Sequence, residues 1–168
     1  MKRIEHIIGG EHTSGESTRT GAIFNPATGE QTGEVVLASE ADVNTVVATA
    51  KAAFESWSTT PPAKRAQVMF AYKGLLEKRA DEIASTISAE HGKTHPDALG
   101  EVARALEVVE FACGIPHLLK GDFSRNVGTS VDACADRHAL GVVAGITPFN
   151  FPTMVPLWMI PMAFSFVI

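Results

Sequence analysis

Two spacings of apolar residues divide the chain. From residue 6 to 37 apolar positions come in short runs, HIIGG, AIFNPATGE and EVVLA, with Gly9-Gly10, Asn25-Pro26 and Thr28-Gly29 among them. Short runs punctuated in this way predict strands joined by turns. From Ser39 the spacing becomes helical. Val43, Val46, Val47, Ala50, Phe54 and Trp57 fall on one face of a predicted helix, and Ser39 with Asp42 has the spacing of a capping box at its start. Pro61-Pro62 breaks the chain and opens a second helix, whose stripe is Val68, Tyr72, Leu75, Leu76, Ile83 and Ile87 and whose C-cap is Gly92. Pro96 begins a third, with Val102, Leu106, Val109 and Cys113 on its apolar side and Gly114 and Pro116 disturbing its end.

After Gly121 the pattern returns to β, and residues 127–140 read as short, turn-rich strands. Gly141 to Ile146 is a continuous apolar run, as expected of a strand covered on both faces. Pro152 then opens PTMVPLWMIPMA, apolar all round and so expected to be a buried helix. Helices followed by a buried strand, turn and helix predict an α/β architecture with parallel strands.

Composition narrows the function. The chain of 168 residues is long enough for one domain with a core. Its 14 basic residues are scattered among 19 acids for a net charge of −5, which argues against a nucleic-acid partner. Two cysteines, Cys113 and Cys134, make neither a disulfide framework nor a zinc site and suit a reducing, cytoplasmic compartment. The N-terminus lacks the long apolar core of a signal peptide. No charged residue follows Arg137, a stretch that hydropathy alone offers as a membrane anchor. Pro148, Pro152, Pro156 and Pro161 argue against an unbroken spanning helix, so no membrane partner is expected.

Candidate chemistry gathers in the same uncharged stretch, GVVAGITPFNFP. Asn150 lies just past the C-terminal end of the predicted strand, where α/β folds place ligands. A fixed amide there can stabilise an oxyanion as it forms; the alternative is a turn Asn that caps the helix opening at Pro152. Thr147 and Phe149 flank it, either as walls of a cofactor site or as core packing. Gly141 and Gly145 do not form a dinucleotide-binding glycine fingerprint. Arg104 can reach inward as a fork for a substrate carboxylate, or pair with Glu101, Glu107 or Glu110 on a solvated face. Cys113 falls in an apolar helix, where a free thiol behaves as a small hydrophobe. His91 and His95 have metal-ligand spacing, but Gly92 and Pro96 interrupt the helix that would present them.

Several strings together resemble the aldehyde dehydrogenase superfamily: FNPATGE, the Trp-containing helix, RADEIASTISAEHGKT, GEVARALEVVEFACGIPHLLKG and GVVAGITPFNFPTMVPLWMIPMA. The likeness runs from Ile7 to Ala163. The EHGKT to HLLKG run and ITPFNFPTMVPLWMIP are similar to the CoA-acylating methylmalonate-semialdehyde dehydrogenase branch. The resemblance implies an enzyme that attacks a small-molecule semialdehyde with a cysteine thiolate, passes hydride to NAD, and hands the acyl group to CoA with loss of CO2. By the same resemblance Asn150 is an oxyanion-hole donor, Thr147 and Phe149 lie beside NAD, and Arg104 meets the substrate carboxylate. The implied fold is a Rossmann-like NAD domain, a catalytic domain and an oligomerisation sheet, in a homo-oligomer.

The resemblance also implies segments beyond residue 168: the nucleophilic cysteine, a general-base glutamate and the Lys-Pro-x-Glu ribose-binding segment. Residues 164–168, FSFVI, depart from the family pattern as a frameshift or premature stop would. The chain is therefore expected to be an N-terminal piece, about the first third of such a protein. In this division 6–37 and 127–140 are strands partly of the oligomerisation sheet, 39–121 are helices, and 141–163 are the first nucleotide-domain strand, turn and helix. The piece alone is expected to be inactive. The alternatives are a non-catalytic remnant that associates with a full-length partner and a tail-anchored membrane protein.

Overall fold

The computed structural model describes residues 2–166. Its fold is α/β. Strands β1 (Lys2–Ile4), β5 (Gln31–Val36) and β4 (Thr20–Phe24) form one sheet in the order β1-β5-β4, with β1 parallel and β4 antiparallel to the central β5. Strand β1 precedes the region in which strands were expected. Strands β2 (His6–Ile8) and β3 (Glu11–Thr13) form a hairpin closed by Gly9 and Gly10, both at positive φ (62° and 89°). A two-residue loop of this kind needs positive φ at both positions, which glycine adopts without steric cost.

Helix α1 (Glu40–Trp57) starts from a complete capping box, with the Ser39 and Asp42 side chains reciprocally bonded to backbone amides. The expected second helix is two. Helix α2 (Pro62–Lys78) ends at Arg79, and α3 (Ala80–His91) begins directly after it. The apolar stripe continues across the junction, because Ile83 packs with residues of both flanking segments, and so conceals the break from a reading of periodicity. Gly92 caps α3 in the left-handed region at φ 82°. Helix α4 (His95–Cys113) is capped by Thr94, followed by the short α5 (Ile115–Leu118) and the β6–β7 hairpin (Asp122–Gly128 and Val131–Ala135). Helix α6 (Met154–Phe166) ends the described chain.

The core lies between α2, α3, α4 and α6. Leu76, Ala105, Val109, Met154 and Leu157 form one buried cluster, and Ala84, Ile87, Ala98 and Val102 form a second. Full burial of a Val, Leu, Ile or Met side chain contributes about 1.5–3 kcal/mol, so these few positions carry much of the stability. The stripe expected on α1 is not core: Val43, Val46 and Val47 are each at least two-fifths exposed.

Two further expectations need correction. Residues 141–146 form no strand, and Ile146 is 95% exposed. A strand exists only as a member of a ladder, and among the described residues no other strand pairs with this segment. Helix α6 is only partly enclosed, with Trp158, Ile160 and Phe164 exposed beside buried Met154, Leu157 and Pro161. Residues 164–166, expected to diverge, continue α6, while Val167 and Ile168 lie outside the described residues. Among the described residues no helix is long and apolar enough to cross a membrane.

Candidate functional site

The turn before α6 is held by a pair that periodicity did not mark. Pro152 at the start of the helix has no N–H, so Thr153 and Met154 present its first free amides. Both donate to Glu101 Oε1 of α4, at 2.9 and 3.0 Å. The other carboxylate oxygen accepts from Lys93 Nζ at 2.5 Å. Lys93 Nζ also donates to the Asn150 carbonyl at 3.2 Å and lies 4.5 Å from the centre of the Phe151 ring. Glu101 is fully buried and Lys93 nearly so, at 0% and 13% side-chain exposure.

Burial pushes the Glu101 carboxyl up, but the Lys93 ammonium and the Met154 and Thr153 amides outweigh it and hold the group below the usual glutamate range. An anion at a helix N-terminus is also favoured by the helix dipole. Glu101 thus does the work of an N-cap from another helix. One sequence signal marks it: an acid beside Val102 on the α4 face that buries Ala98 and Ala105.

This arrangement bears on the capping alternative for Asn150. The amides it would cap are taken by Glu101, and its own side chain makes no hydrogen bond among the described residues. The amide is exposed, together with Thr147 and Phe149 on the same turn. The Phe149 ring lies 5.5 Å from that of His91, tilted by 41°, so it packs against the end of α3 rather than into the core.

Arg104 is exposed on α4. Its solvated-face alternative named three acids, of which Glu101 is paired with Lys93 and Glu110 with Lys73. Among the described residues Arg104 makes no ion pair, and its guanidinium carbon lies 5.6 Å from the Phe151 ring centre. The structure therefore brings Arg104 to the residue next to Asn150, while the Trp158 indole of α6 donates to the Arg104 carbonyl at 3.5 Å.

Neither cysteine joins this cluster: Cys113 is buried at the end of α4 and Cys134 is exposed on β7. Burial raises the Cys113 thiol above its usual range, the Glu110 charge adds to this, and Lys73 opposes it only in part. Such a thiol is a poor nucleophile. Among the described residues no group of three or more His, Cys, Asp and Glu could hold a metal.

The chain belongs to the aldehyde dehydrogenase family, whose model matches residues 12–166. It is 50% identical over 165 residues to malonate-semialdehyde dehydrogenase of Pseudomonas aeruginosa, a match covering 98% of this chain and 33% of that protein. Among solved structures it is similar to methylmalonate-semialdehyde dehydrogenase from Oceanimonas doudoroffii, with TM-score 0.93, 53% identity, and coverage of 98% of this chain and 34% of that one. A Sinorhizobium meliloti 1021 protein assigned as a methylmalonate-semialdehyde dehydrogenase and complexed with NAD matches with TM-score 0.94 at 47% identity, over the same shares of the two chains. The chain thus spans about a third of the length of the relatives it matches. The family expected from FNPATGE, EHGKT and ITPFNFP is the family found.

Proposed function

We propose that these 168 residues supply part of the active site of a CoA-acylating semialdehyde dehydrogenase, acting on malonate or methylmalonate semialdehyde. The observation that carries the reading is the free Asn150 amide, released from helix capping by Glu101 and held next to a turn contacted by Arg104. The names of the similar proteins support the substrate class. In this reading Asn150 donates to the substrate oxygen as negative charge develops on it. Arg104 receives the substrate carboxylate, and Thr147 and Phe149 line the nicotinamide side. A hydroxyl, an amide and an aromatic face in an uncharged turn suit a nicotinamide ring and its carboxamide. NAD, when bound, supplies the hydride acceptor, and CoA takes the acyl group.

Neither Cys113 nor Cys134 is placed to act on a carbonyl beside Asn150, so the reaction needs a thiolate outside these residues. The 168-residue chain alone is therefore inactive. The test is a chimera in which residues 1–163 replace the matching segment of the Pseudomonas aeruginosa relative. We expect NAD- and CoA-dependent turnover of malonate semialdehyde and none from the 168-residue chain. In the chimera Asn150→Ala lowers kcat about 10²–10³-fold, the loss typical of one oxyanion-hole donor. A folded chimera that oxidises the aldehyde equally well with Ala at position 150 overturns the reading.

A second reading has its own observation. The β6–β7 hairpin is exposed along its whole length, with Phe123, Val127 and Val131 at least half exposed. Such an edge suits association with further strands, whether of a homo-oligomer or of a full-length partner bound by a non-catalytic piece. Co-purification of the 168-residue chain with a tagged full-length relative, lost on Val127→Lys, checks it.

A further inference from the structure

We propose that Lys93 and Glu101 act together as the positioning pair for Asn150: Glu101 fixes where α6 begins, and Lys93 fixes the Asn150 peptide against that start. The inference deepens the reading of Asn150 as an oxyanion donor and rests on that reading for its purpose, but not for its geometry. A stabilising amide has to stand still, because a donor that reorients during reaction loses the benefit of preorganisation. The Asn150 side chain has no hydrogen bond of its own among the described residues, so its placement depends on its backbone.

Four contacts hold that turn, and all converge on one buried pair. Glu101 accepts from Thr153 and Met154. Lys93 donates to the Asn150 carbonyl. The Lys93 ammonium also lies against the Phe151 ring. Lys93 directly follows Gly92, the left-handed cap that turns the chain out of α3, and Glu101 lies on the buried face of α4. The turn is therefore referenced to two helices at once. A capping side chain within 150–152 would secure the helix start without referencing it to α3 and α4.

The experiment uses the 168-residue chain labelled with ¹⁵N. Nuclear magnetic resonance follows the Asn150 side-chain NH2 and the Thr153 and Met154 amides in Lys93→Met, Lys93→Arg, Glu101→Gln and Glu101→Ala, with circular dichroism and the Ala84 amide reporting whether the bundle stays folded. We expect Lys93→Met and Glu101→Gln to leave the Ala84 amide protected while exchange at Thr153 and Met154 rises at least tenfold and Asn150 acquires fast-motion relaxation. Lys93→Arg, which keeps the charge, recovers at least half of the protection. If Thr153, Met154 and Asn150 are unchanged in folded variants, or if Lys93→Arg behaves as Lys93→Met, the proposal is overturned. Should Glu101→Ala unfold the bundle, Glu101→Gln and Lys93→Met still decide. Loss of order at Asn150 together with a chimera indifferent to Asn150→Ala sinks the oxyanion reading and leaves the positioning intact.

Discussion

Arg65 Nε donates to the Ser165 carbonyl at 3.0 Å, and the same buried guanidinium also reaches the Thr60 carbonyl. One side chain at the start of α2 thereby satisfies a carbonyl in the last turn of α6, where a cation also complements the helix dipole. Trp57 assists from α1, its indole N–H donating to the Phe164 carbonyl at 2.9 Å. The final described turn is therefore tied to the α1–α2 junction.

Arg65→Met fills the same space but leaves those carbonyls without donors in a buried place. A hydrogen bond to a charged group contributes about 1.5–3 kcal/mol, so we expect a loss of that size in urea unfolding. Arg65→Lys keeps the charge without the planar fork and recovers only part of it. A loss under about 0.5 kcal/mol in Arg65→Met, the range of ordinary surface substitutions, contradicts the assignment.

The Lys93–Glu101 pair gives a larger effect by a different route. Removing Glu101 strands a nearly buried ammonium and two helix-start amides. Breaking a buried pair in this way costs about 3–5 kcal/mol. Replacing both residues with methionine removes the stranded charge along with the pair and should cost less than Glu101→Ala alone. A double variant at least as damaged as the single one rules out a stranded charge as the main cause.

The helices were legible in the sequence because their signals are local: the Ser39–Asp42 box, Pro62 at the start of α2 and Gly92 at the end of α3. The break at Arg79 was not, since an apolar stripe runs through both α2 and α3. Residues 141–146 misled for a related reason. Apolar content says that a segment needs cover, whereas a ladder depends on strands elsewhere in the fold. In the candidate site, Asn150, Thr147, Phe149 and Arg104 stand out in the sequence as residue types in a pattern. The Lys93–Glu101 pair does not, because it joins a turn, a helix face and a distant helix start that only folding brings together.

Acid should weaken the fold through Asp42. The Ser39 amide, then the Glu16 amide and the Ser39 hydroxyl, hold its carboxyl down to about 2. A depressed carboxyl contributes stability above its unfolded value of about 4 and loses it as pH falls toward the folded one. The thermal midpoint should therefore drop between about pH 4 and pH 2, and Asp42→Asn should flatten that slope while lowering the midpoint at neutral pH. Glu101, also held low, acts in the same direction. Asp42→Asn with an unchanged acid slope excludes Asp42 as its source.

Thiol chemistry separates the two cysteines. Cys134 is exposed, whereas Cys113 is buried, with its Sγ 3.4 Å from the Val109 carbonyl. Iodoacetamide at pH 8 should modify Cys134 within minutes and leave Cys113 intact until denaturant is added. Peptide mapping by mass spectrometry reads both sites in one sample. Equal labelling of Cys113 in the native chain contradicts both its burial and its raised pKa.

Two glycines should respond to alanine with opposite sign. Gly92 sits at φ 82°, and a Cβ there would lie 3.1 Å from Pro26 Cγ. Left-handed backbone costs a non-glycine residue about 1–2 kcal/mol, and the proline ring is part of a turn that cannot easily yield. Gly92→Ala should therefore destabilise the chain by at least that amount and disturb Lys93, the next residue, with it. Gly74 lies inside α2, and an alanine methyl at this position would meet nothing within 4 Å. Glycine in a helix interior is worse than alanine by about 0.5–1 kcal/mol, so Gly74→Ala should raise the unfolding midpoint. Both variants are measured by urea titration under one condition. If Gly92→Ala leaves the midpoint unchanged or raises it, the left-handed cap at Gly92 is not what ends α3, and if Gly74→Ala lowers it, the space beside Gly74 is not open.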